Sequence, residues 1–195
     1  MHGDRRRTRV GLLGGSFNPA HMGHRHVAEL ARRRLRLDQV WLLVSPGNPL
    51  KPAAGMAGLA GRLASAAAIA DGRRIVATGI EAGLRTRYTV DTLRELRRRF
   101  PLVRFVWLMG ADNLEQLPRW RRWHDIVRGV CFAVMPRPTY NHRALAGQAA
   151  KRLARARIAA HVAPALAAMA SPAWVFLPAA QNAASASAIR ANLGV

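Results

Sequence analysis

Short apolar runs alternate with longer amphipathic segments along the 195 residues. The runs at 9–13, 39–45, 75–78, 104–109, 130–135 and 174–177 read as strands, apolar at nearly every position as in strands buried on both faces. Helix candidates fall between and after them, at 23–36, 59–71, 89–100, 112–117, 121–127, 143–160 and 185–193. Strand, helix, strand in repetition predicts an α/β chain with a doubly wound, mostly parallel sheet of about six strands flanked by helices. Ligands of such sheets sit off the carboxyl ends of the strands. The Pro/Gly-rich stretch 45–58 reads as a mobile loop, and the Ala-rich stretch 144–170 as helix broken at Pro164.

Composition narrows the class. Half of the residues are apolar, enough for one core, so a single domain over 1–195 is expected. No apolar run approaches a membrane span, and the Arg-rich start leads into a run too short for a secretory core, which points to the cytoplasm and to no membrane partner. The single cysteine, Cys131, lies in an apolar run and reads as a small buried hydrophobe with no catalytic role. A net charge of +21 is the footprint of a nucleic-acid binder. However, Lys51 and Lys151 are the only lysines, and the arginine clusters at 5–7, 32–34 and 97–99 are scattered, two of them at predicted helix C-termini where cations complement the dipole. No nucleic-acid partner is expected, although a basic surface would draw anionic nucleotides into a cleft.

The chemistry concentrates in Gly14-Gly15-Ser16-Phe17-Asn18-Pro19-Ala20-His21-Met22-Gly23-His24, directly after the first strand. Paired glycines at a strand end admit close backbone approach to a ligand, and the following helix turns its positive end to an anion. His21 and His24, three apart, share one side and can donate to phosphate oxygens as charge develops. Neither the Gly-x4-Gly-Lys-Ser/Thr loop nor a dinucleotide fingerprint is present. Taken singly these residues also suit an ordinary turn and a satisfied helix histidine. A metal site at His21, His24 and His26 would need a further Cys, Asp or Glu, and His26 leaves the shared face.

The eleven residues resemble the first signature of the HxGH nucleotidyltransferase superfamily. Ser185-Ala186-Ser187-Ala188-Ile189-Arg190 is similar to its second, a Ser/Thr-rich turn into a helix, with Ala186 where a second Ser is usual and Ser187 where Thr is common. The loop Ser45-Pro46-Gly47-Asn48-Pro49-Leu50-Lys51 resembles the family loop that delivers a lysine, with Leu50 replacing a common His. Closer still, Arg87-Tyr88-Thr89 and the stretch from Gly110-Ala111-Asp112 to Trp120 resemble nicotinate-mononucleotide adenylyltransferase. Motifs similar to that family run from Gly14 to Arg190.

The resemblance implies a Rossmann-like nucleotidyltransferase fold and adenylyl transfer from ATP to nicotinate mononucleotide. By it, His21, His24, Lys51 and Arg190 are catalytic, while Gly14, Gly15, Ser16, Phe17, Ser185, Ser187 and Arg137 bind ATP and its phosphates. Thr89, Asp112 and Trp120 hold the acceptor, and Mg2+ arrives with ATP. Plainer roles stand beside these: helix capping for Thr89 and for Asp112 with Glu115, a packing face for Trp120 and Trp123, surface loops for Lys51 and Arg137. Nucleotidyltransferases with other acceptors share the phosphate motifs, and a basic nucleic-acid-binding module would need neither histidine.

Overall fold

In a computed structural model, residues 8–47 and 55–178 are described. One sheet of seven strands forms the centre, in the order β3-β2-β1-β4-β5-β7-β6, every neighbouring pair parallel. The strands are β1 (Arg9–Gly15), β2 (Gln39–Val44), β3 (Ile75–Thr78), β4 (Arg104–Gly110), β5 (Cys131–Met135), β6 (Arg157–Ile158) and β7 (Trp174–Phe176). The six expected strands are all present. The additional β6 is two residues long at the sheet edge, too short to carry a period.

Side chains alternate strictly between two cores. Val10, Leu12, Trp107, Met109, Phe132, Val134 and Trp174 face one cluster. Leu13, Leu42, Val106, Leu108, Ala133 and Val175 face the other. Both faces being covered is why each strand reads as an unbroken apolar run. The second face is closed by α1 (Met22–Arg34), α2 (Leu59–Ala68) and a 3-10 segment at Ala160–Ala168. The first is closed by α3 (Ile80–Leu84), α4 (Thr89–Arg99), α5 (Ala111–Gln116), α6 (Trp123–Gly129), α7 (Asn141–Ala146) and α8 (Gln148–Arg152). Among the described residues no helix is long and apolar enough to cross a membrane.

The long helix expected at 143–160 is not there. Gly147 ends α7 and caps α8, and the chain then passes through a 3-10 turn at Ala154–Ala156 into β6. A Cβ at Gly147 would sit 3.1 Å from the Arg143 carbonyl oxygen, a tight fit at the point where the chain leaves the helix in extended conformation. The buried Trp174 indole then donates to the Leu153 carbonyl at 2.8 Å, holding the segment against the sheet. Tertiary packing overrides the helix propensity of an Ala/Arg-rich stretch. Five-residue α3 is likewise absent from the periodic pattern. The arginines at 32–34 and 97–99 fall in the last turns of α1 and α4, as the dipole argument expects. Cys131 is buried, and burial pushes its thiol pKa up. The helix expected at 185–193, residues 48–54 of the 45–58 loop and the arginines at 5–7 lie outside the described residues.

Candidate active site

Strand β1 returns through α1 on one face of the sheet, whereas neighbouring β4 leads into α5 and α6 on the other. Connections leaving adjacent strands in opposite directions open a crevice at their carboxyl ends. The segments that follow β1, β4 and β5, including the first turns of α1 and α5, carry His21, His24, Asp112 and Arg137 at that edge.

The two histidines cap the N-terminus of α1 reciprocally. His21 is the N-cap, in extended conformation, and its Nδ1 accepts from the Gly23 N–H at 3.2 Å. His24 Nδ1 accepts from the His21 N–H, also at 3.2 Å. The rings lie 3.9 Å apart between centroids. An imidazole whose Nδ1 accepts must carry its proton on Nε2 when neutral, so this hydrogen-bond assignment leaves each ring with an Nε2–H donor on the side remote from the backbone. Burial, with the Arg137 charge adding to it, holds the His21 pKa below the ordinary histidine value, which preserves the neutral form that the cap needs. His26 is exposed on another side of α1.

Gly14 and Gly15 carry their motif for a reason the sequence alone does not reveal. A Cβ at Gly14 would lie 2.7 Å from Trp107 Cη2, and one at Gly15 would lie 3.2 Å from the Phe17 ring. Their missing side chains make room for an indole and a phenyl ring beneath the loop. Phe17 itself is buried, has φ of 48° and packs its ring against His24 with centroids 4.9 Å apart. Only its backbone is placed to meet a ligand. Left-handed backbone in a bulky residue is strained, and it is held here by the packed ring.

At the ends of β4 and β5, Arg137 Nε lies 3.4 Å from Asp112 Oδ1. That buried oxygen has no hydrogen bond among the described residues. Gly110 leaves room for the pair: a Cβ there would meet Asp112 Oδ1 and come within 3.1 Å of Arg137 Nε, so a side chain would displace these two flexible groups. The capping alternatives are not realised: the N-caps are Tyr88 for α4 and Gly110 for α5, so Thr89 and Asp112 sit inside their helices. Glu115 instead accepts from Arg143 at 2.7 Å. Trp120 precedes α6 and stands edge-on to Trp107, centroids 6.3 Å apart, while Trp123 is core as its spacing suggested. Trp107 thus links Trp120 to the Gly14 loop. Lys51, Ser185, Ser187 and Arg190 lie outside the described residues.

The cytidylyltransferase-like family matches residues 12–192. A protein of Gluconacetobacter diazotrophicus named "Probable nicotinate-nucleotide adenylyltransferase" is 63% identical over 190 residues, 97% of this chain and 88% of its own length. A protein of the same name from Gluconobacter oxydans is 58% identical over 182 residues, 93% of each chain. The chain belongs to the cytidylyltransferase-like family, among its nicotinate-nucleotide adenylyltransferases. Its fold is that of a solved Plasmodium falciparum nicotinic acid mononucleotide adenylyltransferase, described as complexed with NaAD, with a TM-score of 0.69 at 15% identity over 94% of this chain and 83% of that one.

Several family-site neighbours escaped the sequence reading. Asn18, part of the eleven-residue motif but given no role of its own, donates from Nδ2 to the Gly55 carbonyl at 2.9 Å and accepts from the Ala57 N–H at 3.1 Å. Arg62 and Ser65 reach the same loop from α2. Their signal was present: Arg62 is the one charged residue of the helix Leu59–Ala68. Trp107 gave none, being one apolar residue in an apolar strand.

Proposed function

We propose that this chain transfers the adenylyl group of ATP to nicotinate mononucleotide, giving deamido-NAD (nicotinate adenine dinucleotide) and pyrophosphate, a step of NAD biosynthesis. The observation that carries the reading is the reciprocally capped histidine pair at the head of α1, beside Arg137 and Asp112 in the sheet's crevice. The names of the close relatives point the same way.

The 5′-phosphate oxygen of the mononucleotide attacks the α-phosphorus of ATP in line, the bond to the bridging oxygen breaks, and pyrophosphate leaves with the electron pair. No covalent intermediate is needed, so catalysis is positioning and charge stabilisation. The Nε2–H groups of His21 and His24 donate to phosphate oxygens, and because neither ring must shed a proton, they act as fixed donors. Gly14, Gly15, Ser16 and the Phe17 backbone line the phosphates, with Lys51, Arg137 and Arg190 supplying positive charge and Ser185 and Ser187 hydroxyl donors. The positive end of α1 adds to the field. Trp120 offers stacking area for the pyridine ring, Thr89 a hydroxyl, and Asp112 an acceptor for ribose hydroxyls.

Among the described residues no three His, Cys, Asp or Glu side chains cluster as cation ligands. A Mg2+ ion carried on ATP fits such a site if phosphate and water supply its coordination, and it would then share the polyphosphate charge.

Pyrophosphate release from ATP and Mg2+, with nicotinate mononucleotide and nicotinamide mononucleotide supplied separately, tests the reading. Strong preference for the acid supports it. Preference for the amide moves the chain to the sister activity, and release with neither overturns the acceptor assignment.

A further inference from the structure

Helix α2 contains one charge, and that charge is inside the protein. Arg62 is 2% exposed and faces no carboxylate among its hydrogen-bond partners. Nε donates to the Ala57 carbonyl at 2.8 Å, Nη1 to the carbonyls of Ser16 at 2.8 Å and Ser45 at 2.7 Å, and Nη2 to that of Pro46 at 3.2 Å. One turn on, Ser65 Oγ accepts from the Ala20 N–H at 3.1 Å, donates to the Arg62 carbonyl at 2.8 Å and lies 3.4 Å from the Phe17 carbonyl. A single face of α2 therefore grips the loop after β1 at Ser16, Phe17 and Ala20, and the loop after β2 at Ser45 and Pro46.

Burying a guanidinium without a counter-ion is costly, and burial lowers its pKa from the ordinary arginine value. Four carbonyl dipoles offset that cost. A hydrophobic residue would fill the space more cheaply, so the arrangement asks for a reason beyond stability. Peptide geometry supplies one. A trans peptide unit points its C=O and the next N–H in opposite directions. The Gly15 carbonyl is held toward β2 by the Ser45 N–H at 3.0 Å, which turns the Ser16 N–H toward the β4 side, where the crevice lies. The Ser16 carbonyl is held toward α2 by Arg62, which turns the Phe17 N–H away from α2.

We propose that Arg62, seconded by Ser65, is a positioning residue for nucleotide binding: by fixing the Ser16 carbonyl inward, it holds the Phe17 N–H away from α2, next to the Ser16 N–H that the Ser45 contact sets, so that the loop offers backbone donors to the ATP phosphates. The inference rests on the reading of this edge as the ATP site. Arg62 touches no substrate, and it acts through the loop. Lysine cannot replace it, because a compact ammonium does not span four carbonyls in fork geometry.

The test is titration calorimetry of Mg-ATP alone on Arg62→Lys, Arg62→Ala and Ser65→Ala, with melting curves and steady-state kinetics for both substrates. The Arg62 variants should bind ATP about tenfold or more weakly, the scale of losing a charge-assisted hydrogen bond's positioning, while KM for nicotinate mononucleotide moves about twofold at most. Added methylguanidinium should restore ATP affinity to Arg62→Ala and methylammonium should not. A folded Arg62 variant whose ATP affinity stays within about twofold of the wild type overturns the proposal. If neither Arg62 variant folds, Ser65→Ala decides, with ATP affinity about threefold weaker expected and unchanged affinity overturning it. Wild-type protein that binds ATP but releases no pyrophosphate with nicotinate mononucleotide overturns the acceptor reading alone.

Discussion

Replacing Gly14 by alanine distinguishes two physical reasons for the same glycine. The added methyl would lie 2.7 Å from Trp107 Cη2 and 3.0 Å from Cζ2. Carbon atoms prefer roughly 3.5–4.0 Å, so the overlap approaches about 1 Å. The indole cannot retreat easily: Trp107 is 4% exposed, belongs to a central strand and meets Trp120 edge-on. Overpacking of this kind costs about 1–3 kcal/mol. For a chain of this length that lowers Tm by about 3–10 °C. The assay is a double-mutant cycle by urea unfolding with Gly14→Ala, Trp107→Phe and the pair. Phenylalanine removes the clashing benzo ring and also a buried indole N–H that has no hydrogen bond among the described residues. The pair should therefore be more stable than the sum of the single losses by about 1 kcal/mol or more. ATP affinity measured on the same four proteins should recover with stability. Gly14→Ala within about 0.5 kcal/mol of the wild type, or strict additivity, would refute the packing argument. Stability regained without ATP affinity would return the glycine to ligand approach.

Three further outcomes are expected. His24→Ala removes an Nε2–H donor and the acceptor for the His21 N–H, so turnover should fall by orders of magnitude while stability drops by only about 1 kcal/mol; comparable activity in a folded variant would sink the assigned role. Because the His21 pKa is depressed in the folded state, the stability and activity that need its neutral form are full above the ordinary histidine value and are lost as pH falls through the lower, folded value. The acid limb of kcat/KM should therefore lie below the ordinary histidine range, and Arg137→Ala should move it upward; an unmoved limb would remove Arg137 as a cause. Glu81 is 8% exposed, accepts from the Thr92 hydroxyl at 2.9 Å, and has its pKa raised by burial. Its protonated form is favoured in the fold, so stability is present below the ordinary carboxylate pKa and lost as pH rises through the raised one. Glu81→Gln keeps the acceptor for Thr92 and should raise Tm at neutral pH, with the gain shrinking in acid; a lower Tm at neutral pH would contradict this.

How far the sequence reached depended on whether a feature is local. Strands buried on both faces show as continuous apolar runs, which is why six of seven were placed, and the eleven residues from Gly14 to His24 carry a signature because a phosphate loop needs particular residues at fixed spacing. The same locality explains the helix misplaced over 143–160: alanine and arginine favour helix in isolation, and only the distant Trp174 indole and the reversal at Gly147 say otherwise. The capping alternative for Thr89 and Asp112 fails for a related reason. Thr89 and Asp112 have the composition of capping residues, but where a helix begins is settled by the strand and loop that feed it.

By itself the sequence determined the sheet, the family and the histidine pair. What the glycines accommodate, which histidine nitrogens are committed to the backbone, the meeting of Asp112 with Arg137, and the burial of Arg62 beneath the loop were decided by tertiary structure. Each joins residues far apart in the chain, and such a contact leaves no periodicity to read: its energy comes from packing and desolvation that exist only once the sheet has closed around them.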